Sequence, residues 1–342
     1  MSFPDSTLSS SPSHLIPLIE LPHEEHNDPT IGANPPSAKE LQAAQSLVQA
    51  LQTSGFLLIS SPTLLSSSVM SKAIQAAQEY LSNNAQNNEN VIVHPTDPKR
   101  YSMMDPQALE TKLKTNLDLL ESEKILFEYS QVLTHVKTKL LRLLALGLNM
   151  GDANYFIKLH SENNHAMRLL HYPPCTDPTI GNRCNEHSDY GTLTLLTTNG
   201  VSGLEIYHTP PGKAEGDWVS VPHVPGSIVV NIGSLLSEWS GGKLLATLHR
   251  VAGPQSKYNK SLTLTETRQG IKEAWKLGRT SIAFFVDPNN DVSTCLQKST
   301  AIMNTSDSGM SVGEYIEFRS GGIGSNRSGV NFTENEEKRM GQ

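Results

Sequence analysis

The feature that most constrains the fold is a change of hydrophobic period near Met167. Before this residue, apolar side chains recur at helical spacing, whereas after it they alternate with polar ones in short segments. Turn signals separate these segments at Pro173-Pro174, Asn199-Gly200, Pro210-Pro211-Gly212, Pro225-Gly226 and Gly241-Gly242. Short alternating segments with turns between them are typical of an all-β barrel or jelly roll. The sequence therefore predicts a mainly β core with flanking helices.

The helices are predicted in the first half of the chain. Ser37 and Glu40 have the spacing of a capping box, in which two side chains satisfy backbone N–H groups at a helix start. Helical patterns also cover residues 63–80 and 122–148, and the second has one broad apolar face against which a sheet can pack. Residues 82–105 are Asn-rich and contain prolines, so we predict a loop there. The other predicted elements are short, namely strands at 16–21 and 56–60 and a helix at 311–318.

Composition and charge restrict the class of protein. The chain has 342 residues and a formal net charge of −7, and it lacks a long basic run, which argues against nucleic acid as a partner. It has no apolar run of membrane-spanning length, and residues 1–14 read as a disordered tail without a secretory signal. Its three cysteines, Cys175, Cys184 and Cys295, are too few and of the wrong parity for a disulfide framework. We therefore expect a cytoplasmic protein with no membrane partner, and separately we expect it to be a monomer.

A candidate metal site begins at His187 and Asp189. Residues two apart on a strand point to the same face, so this imidazole and this carboxylate can approach one ion. His249 is the candidate third ligand. Two histidines and one carboxylate on one face of an octahedron are the set expected for non-haem Fe(II). By itself, His-x-Asp fits an exposed polar turn equally well.

A candidate anion site lies further along the chain. Arg279 and Ser281 are again two residues apart in a predicted strand and share a face. A guanidinium binds a carboxylate through two parallel donors, and a hydroxyl beside it adds a third. A metal triad with a carboxylate anchor on a nearby strand indicates a dicarboxylate cosubstrate that binds the metal.

These segments resemble those of the Fe(II)- and 2-oxoglutarate-dependent dioxygenases of the isopenicillin N synthase-like branch. The resemblance covers roughly residues 15–320 in the same order. It rests on Met167-Arg-Leu-Leu-His-Tyr-Pro-Pro-Cys175, His187-Ser-Asp-Tyr-Gly-Thr-Leu-Thr, Val201-Ser-Gly-Leu-Glu-Ile, Pro225-Gly-Ser-Ile-Val-Val-Asn-Ile-Gly233, Trp239-Ser-Gly-Gly, His249-Arg-Val and Arg279-Thr-Ser281. The resemblance implies a distorted double-stranded β-helix, a jelly roll, with helices packed on its outer sheet. It implies that Fe(II), 2-oxoglutarate and O2 are used, with ascorbate as a possible reductant.

The resemblance also implies an activity. The enzyme would oxidise an unactivated C–H bond of a small molecule and decarboxylate 2-oxoglutarate to succinate and CO2, in specialised metabolism. Hydroxylation is the expected outcome. The alternatives are desaturation or oxidative ring closure of a small amino-acid-derived, kainoid-like precursor, use of the iron triad without 2-oxoglutarate, and a jelly-roll binding protein without catalysis.

Further site residues follow from the resemblance alone. It implies that Tyr172 helps bind the cosubstrate carboxylate. It also implies that Asn231 faces the barrel interior, either as a hydrogen-bonding group near metal or cosubstrate or as a plain amide at the end of a strand. Plant members have an asparagine where this chain has Leu170, which removes one polar contact.

A second departure is an insertion at about residues 256–278, between His249 and Arg279. It is either a surface loop, since long insertions cost little free energy, or a lid over the substrate. We expect a lid, and its cations Arg268, Lys272 and Lys276 favour an acidic substrate. The domain prediction is a disordered tail at 1–14, a mainly helical region at 15–160, the oxygenase domain at 161–320 and a polar tail at 321–342.

Three other histidines are assigned outside the site. His160 and His165 are predicted to lie on the surface because their neighbours are polar. His171 is adjacent to Tyr172 on a strand, so it points to the opposite face and is predicted to be structural.

Overall fold

The computed structural model describes nine stretches of the chain: residues 15–22, 35–83, 92–93, 100–114, 120–175, 177, 180–253, 277–295 and 310–319. The predicted tails at 1–14 and 321–342 lie outside the described residues, as does nearly all of the predicted lid at 256–278.

Twelve strands are described, in two sheets. Eight form a large sheet in the order β1-β2-β10-β7-β12-β5-β4-β3, and four form a small sheet in the order β6-β11-β8-β9. Their bounds are β1 Leu18–Glu20, β2 Phe56–Ser60, β3 Ile92–Val93, β4 Arg100–Met104, β5 His165–Tyr172, β6 Cys184–His187, β7 Leu193–Thr198, β8 Leu204–His208, β9 Asp217–Ser220, β10 Ser227–Ile232, β11 His249–Val251 and β12 Arg279–Val286. This arrangement confirms the predicted mainly β core.

The described helices lie mostly before the core in the chain. They are α1 Ala38–Thr53, α2 Ser67–Asn83, α3 Pro106–Lys114, α4 Glu121–Gly147, α5 Tyr155–Leu159, α6 Ser234–Trp239 and α7 Val312–Arg319. The predicted capping box is present at the start of α1, where the Ser37 side chain accepts from the Glu40 N–H and Glu40 accepts from the Ser37 N–H. The predicted long helix is α4.

The large sheet has two different faces. Met167, Leu169, Ile282 and Phe284 point to one side, where they join the main hydrophobic core together with the helices. The alternate residues of β5 and β12 point to the other side, because successive strand residues face opposite ways. On that inner face, Leu58, Leu196 and Val229 pack with Leu204 and Ile206 of the small sheet. The inner face of the large sheet therefore borders the space between the two sheets, which we call the inner space.

Helix α4 is the main support of the outer face. Its apolar side, including Leu133, Val136, Leu140 and Leu144, is fully buried. The phenol of Tyr129 also reaches the sheet, where its hydroxyl lies 2.6 Å from Oγ1 of Thr197 on β7. The predicted apolar face of this helix therefore belongs to the core.

Two expectations were wrong. The predicted loop at 82–105 contains β3 and β4, since β4 pairs with β5 over five residues and buries Ser102 and Met104. His160 and His165 are buried rather than on the surface. His160 lies within hydrogen-bonding distance of the Phe156 carbonyl and of Thr192 Oγ1, and these polar partners make its burial possible. Both errors come from tertiary pairing that a local sequence pattern does not contain.

None of the described helices combines the length and the apolar character needed to cross a membrane.

The buried contact between Tyr129 and Thr197 gives a test of how α4 is attached. Tyr129→Phe leaves the Thr197 hydroxyl without this partner, and we expect the free energy of unfolding to fall by about 1–3 kcal/mol. Urea denaturation measures it. In the Thr197→Val background the same change should cost less, because both polar groups are then absent. An equal cost of Tyr129→Phe in both backgrounds would contradict the contact.

Candidate metal centre and anion pocket

Three predicted ligands converge at one end of the inner space. His187 ends β6, Asp189 lies two residues beyond, and His249 begins β11, directly opposite His187 in the antiparallel pair. Their ligand atoms all lie within 4.8 Å of one another. Asp189 Oδ1 is 3.9 Å from His187 Nε2 and 3.8 Å from His249 Nε2. These distances are too long for hydrogen bonds, so the three groups border a common gap.

Asp189 reaches this position from a turn rather than from a strand. The strand reasoning put it on one face with His187, but β6 ends at His187 and Asp189 precedes β7. The turn is held tightly against the start of α6, where the Asp189 carbonyl accepts from the backbone N–H and the hydroxyl of Ser234. Gly191 and Gly233 make this possible, because a side chain on Gly233 would collide with the Gly191 backbone.

Both imidazoles are oriented by backbone carbonyls. Nδ1 of His187 lies 2.8 Å from the Asn185 oxygen, and Nδ1 of His249 lies 3.0 Å from the Thr247 oxygen. A carbonyl oxygen only accepts, so Nδ1 carries the proton in each ring. In the neutral imidazole, the lone pair of Nε2 then points to the gap, as metal binding requires.

The carboxylate of Asp189 is fixed through its other oxygen. Oδ2 accepts from Thr194 Oγ1 at 2.5 Å and from Asn231 Nδ2 at 2.7 Å, which turns Oδ1 towards the two Nε2 atoms. Thr194 and Asn231 lie opposite each other on β7 and β10. The structure thus brings Asn231 against Asp189. Sequence reasoning missed Thr194, whose signal was its position as a polar residue on the same strand face as the apolar Leu196.

The pKa shifts follow from burial and from these neighbours. Burial alone raises the pKa of Asp189, but His249, His187 and the two hydrogen bonds outweigh it, so the net pKa is lowered and the carboxylate stays ionised. Burial lowers the pKa of His249, which favours its neutral form. Burial also lowers the pKa of His187, but Cys184 and Asp189 raise it to about 9. A metal ion at His187 therefore competes with a proton.

The predicted anion pocket lies on the same inner face, at the start of β12. Arg279 pairs with Tyr172 in the sheet, and its guanidinium carbon lies 5.6 Å from the centre of the Tyr172 ring. Its Nη1 donates to Ser281 Oγ at 3.0 Å, which confirms that the two side chains share a face. Burial lowers the pKa of Arg279.

Arg279 has an unused donor. Its side chain is buried, its Nε is without a hydrogen-bond partner, and within the described stretches no carboxylate forms an ion pair with it. A buried guanidinium with an unsatisfied N–H is costly unless an anion completes it. The pocket therefore has the chemistry of a carboxylate site.

His171 and Leu170 lie as the sequence indicated. His171 points away from Tyr172 and contacts Thr280 Oγ1 at 2.9 Å, outside the inner space. Leu170 pairs with Ser281 on the inner face and brings no polar group there.

Comparison with known proteins shows similarity to 2-oxoglutarate-dependent oxygenases. The model of the 2OG-Fe(II) oxygenase superfamily matches residues 163–288, a segment that includes every residue of the metal centre and of the anion pocket. The 2-oxoglutarate-dependent dioxygenase htyE of Aspergillus rugulosus is 32% identical over 182 residues, which are 52% of this chain and 48% of that protein. Leucoanthocyanidin dioxygenase of Malus domestica is 31% identical over 182 residues, which are 52% of this chain and 47% of that protein. The chain spans about half the length of these relatives.

Solved structures with the same fold cover more of the chain. T7H from Neurospora crassa, in complex with alpha-KG and 5-formyluracil, has a TM-score of 0.65 at 20% identity and covers 89% of this chain and 95% of its own. The dioxygenase for auxin oxidation 1 from Arabidopsis thaliana, with 2-oxoglutarate, has a TM-score of 0.59 at 18% identity and covers 81% and 94%. At such identities the likeness concerns the fold, and it confirms the predicted jelly roll. Residues 163–288 are therefore the part of this chain that is similar to the 2OG-Fe(II) oxygenase superfamily.

Proposed function

We propose that this chain is an Fe(II)- and 2-oxoglutarate-dependent oxygenase that hydroxylates a C–H bond of a small molecule and converts 2-oxoglutarate to succinate and CO2. The observation that carries the proposal is the convergence of His187, Asp189 and His249 on one gap, on the inner face that also holds the buried Arg279. A cation site and a carboxylate site together match a cosubstrate that has a metal-binding end and a second carboxylate.

His187, Asp189 and His249 would hold the iron. Two imidazoles and one carboxylate suit Fe(II) and leave other coordination positions open. When bound, Fe(II) supplies the activation of O2 that is coupled to decarboxylation of 2-oxoglutarate. Thr194 and Asn231 serve this site by holding Asp189, so we assign Asn231 to the metal side rather than to the cosubstrate.

Arg279, Ser281 and Tyr172 would hold the far carboxylate of 2-oxoglutarate. The guanidinium is already oriented by Ser281 and by the Tyr172 ring, so little side-chain freedom is lost when the anion binds. Burial of this pocket also excludes water from the bound carboxylate, which strengthens the ion pair.

We further propose an acidic substrate. The cations of the predicted lid lie outside the described residues, but Arg168 offers separate support. It pairs with Ala283 on the inner face, and its guanidinium carbon lies 6.0 Å from the centre of the Phe285 ring. Phe285 pairs with Thr194, the residue that holds Asp189. A cation on this face, beside an aromatic ring and near the metal ligands, suits a small organic carboxylate.

Product mass separates the possible outcomes. Hydroxylation adds one oxygen atom, whereas desaturation and ring closure remove two hydrogens.

The names of the relatives support a small organic substrate. We further propose that the enzyme acts in specialised metabolism and that it is a cytoplasmic monomer.

The metal site is tested by removing its histidines. For His249→Ala and His187→Ala, we expect Fe(II) affinity to fall by more than about tenfold, since loss of even a residue that only orients a ligand costs that much. Succinate formation from 2-oxoglutarate should stop. Anaerobic calorimetry with Fe(II) and a succinate assay measure the two effects. His208→Ala, on β8 but outside the cluster, is the matched control. Parent-like Fe(II) binding by His249→Ala would exclude the assigned triad.

The anion pocket is tested at Arg279. Arg279→Ala leaves a buried carboxylate without its cation, which costs about 2–5 kcal/mol and raises the apparent KM for 2-oxoglutarate roughly 30- to 5,000-fold. Arg279→Lys should recover only part, because an ammonium does not reproduce the two-donor contact. Fe(II) affinity without 2-oxoglutarate should not change, which makes it the internal control. An unchanged KM in both variants would show that the cosubstrate carboxylate binds elsewhere.

A further inference from the structure

His187 is the least enclosed of the three proposed ligands. Its side chain is 43% exposed, whereas those of Asp189 and His249 are 10% and 9% exposed. It also ends β6, which lies at the edge of the small sheet and pairs only with β11 among the described strands. The position of His187 therefore depends on how firmly β6 is held against β11.

The pairing of these two strands is irregular at this point. His249 lies opposite His187 and Val251 lies opposite Cys184, so that two residues of β6, Asn185 and Glu186, face the single residue Arg250. An extra residue of this kind is a β-bulge, which interrupts the backbone ladder. Next to His187, β6 therefore has fewer backbone hydrogen bonds to β11 than a regular strand would have.

The Arg250 side chain spans the bulge. Its Nη1 lies 3.1 Å from Glu186 Oε1 on β6, and its Nε donates to Glu205 Oε2 on β8 at 2.8 Å. Its guanidinium carbon lies 3.9 Å from the centre of the Trp218 ring on β9. One planar group thus contacts all three other strands of the small sheet, and only 5% of its side chain is exposed.

The alternation of side chains relates this contact to the metal centre. Arg250 follows His249, and Glu186 precedes His187. On each strand the histidine points to the inner space, and its charged neighbour points to the other face of the sheet. The ion pair on the outer face therefore joins the same two strands that carry the two imidazoles, whose ring centres lie 4.2 Å apart on the inner face.

We propose that Arg250 is a positioning residue that holds β6 through Glu186 and thereby sets the place of His187 for metal binding. This inference rests on the proposed metal site. Glu205 and Trp218 fix the Arg250 guanidinium, and the contact between this guanidinium and Glu186 holds the edge strand β6 in place.

A purely structural role would give a different result. The Glu186 side chain is 45% exposed, and ion pairs at such positions contribute little to the stability of a fold. If Glu186 only stabilised the sheet, its removal would leave metal affinity nearly unchanged. If it positions His187, metal affinity falls while the fold keeps its stability.

The experiment uses Glu186→Ala and Glu186→Gln in the full chain, because Arg250 itself is buried and its replacement endangers folding. Mn(II) is the probe, titrated calorimetrically without cosubstrate, and the Tm of the metal-free protein is measured in parallel. The control is Glu40→Ala, which breaks the 2.9 Å Arg142–Glu40 pair and the capping box of α1, both of which lie on helices rather than on β6 or β11.

We expect the Mn(II) Kd to rise about tenfold in Glu186→Ala, at the low end of the range for residues that orient metal ligands. Glu186→Gln keeps a hydrogen-bond acceptor for Arg250, so its Mn(II) Kd should lie between that of Glu186→Ala and that of the parent protein. Glu40→Ala should keep the parent Kd even where its Tm falls. A parent-like Kd in Glu186→Ala, or an equal rise in Glu40→Ala, would overturn the positioning role. Failure of the parent protein to bind Mn(II) would instead remove the metal site on which the inference rests.

Discussion

The structure of the site depends on one buried carboxylate, Asp189. An ionised carboxylate in a protein interior is costly unless it is hydrogen-bonded and paired with positive charge or a metal. Here Thr194 and Asn231 bind one oxygen, and the other faces two imidazoles. The same residue anchors α6 through its backbone carbonyl. Strands β7 and β10, the turn after β6 and the start of α6 are therefore positioned around this group.

The metal-binding groups and the buried cation occupy different positions on the inner face. Asp189 and the two histidines lie at one end, and the buried Arg279 lies at the start of β12 beside Tyr172. An acidic centre beside histidines attracts a cation, and an incompletely paired guanidinium attracts an anion. A metal ion bound to the Asp189 cluster and a dicarboxylate that reaches from this metal to Arg279 would together neutralise the charged groups of the inner face.

Much of this was predictable from sequence because it rests on short-range rules. The two-residue spacing of Arg279 and Ser281 placed them on one face of a strand, and the Ser37–Glu40 spacing marked the start of α1 correctly. The convergence of His187 with His249 needed the resemblance, since no local rule relates residues 62 positions apart. Thr194 and the pairing of Arg250 with Glu186 were not predicted, because they depend on strand register and on a bulge. The burial of His160 and His165 likewise depends on partners distant in sequence, such as Thr192.

The central claim is that 2-oxoglutarate binds at once to a metal held by His187, Asp189 and His249 and to Arg279. The most direct test is a calorimetric titration of 2-oxoglutarate into the anaerobic protein, with and without Fe(II). The account predicts saturable binding that is much tighter with Fe(II), because only then are both ends of the molecule held. Equal affinity in the two titrations would contradict it, because the cosubstrate would then bind without contacting the metal.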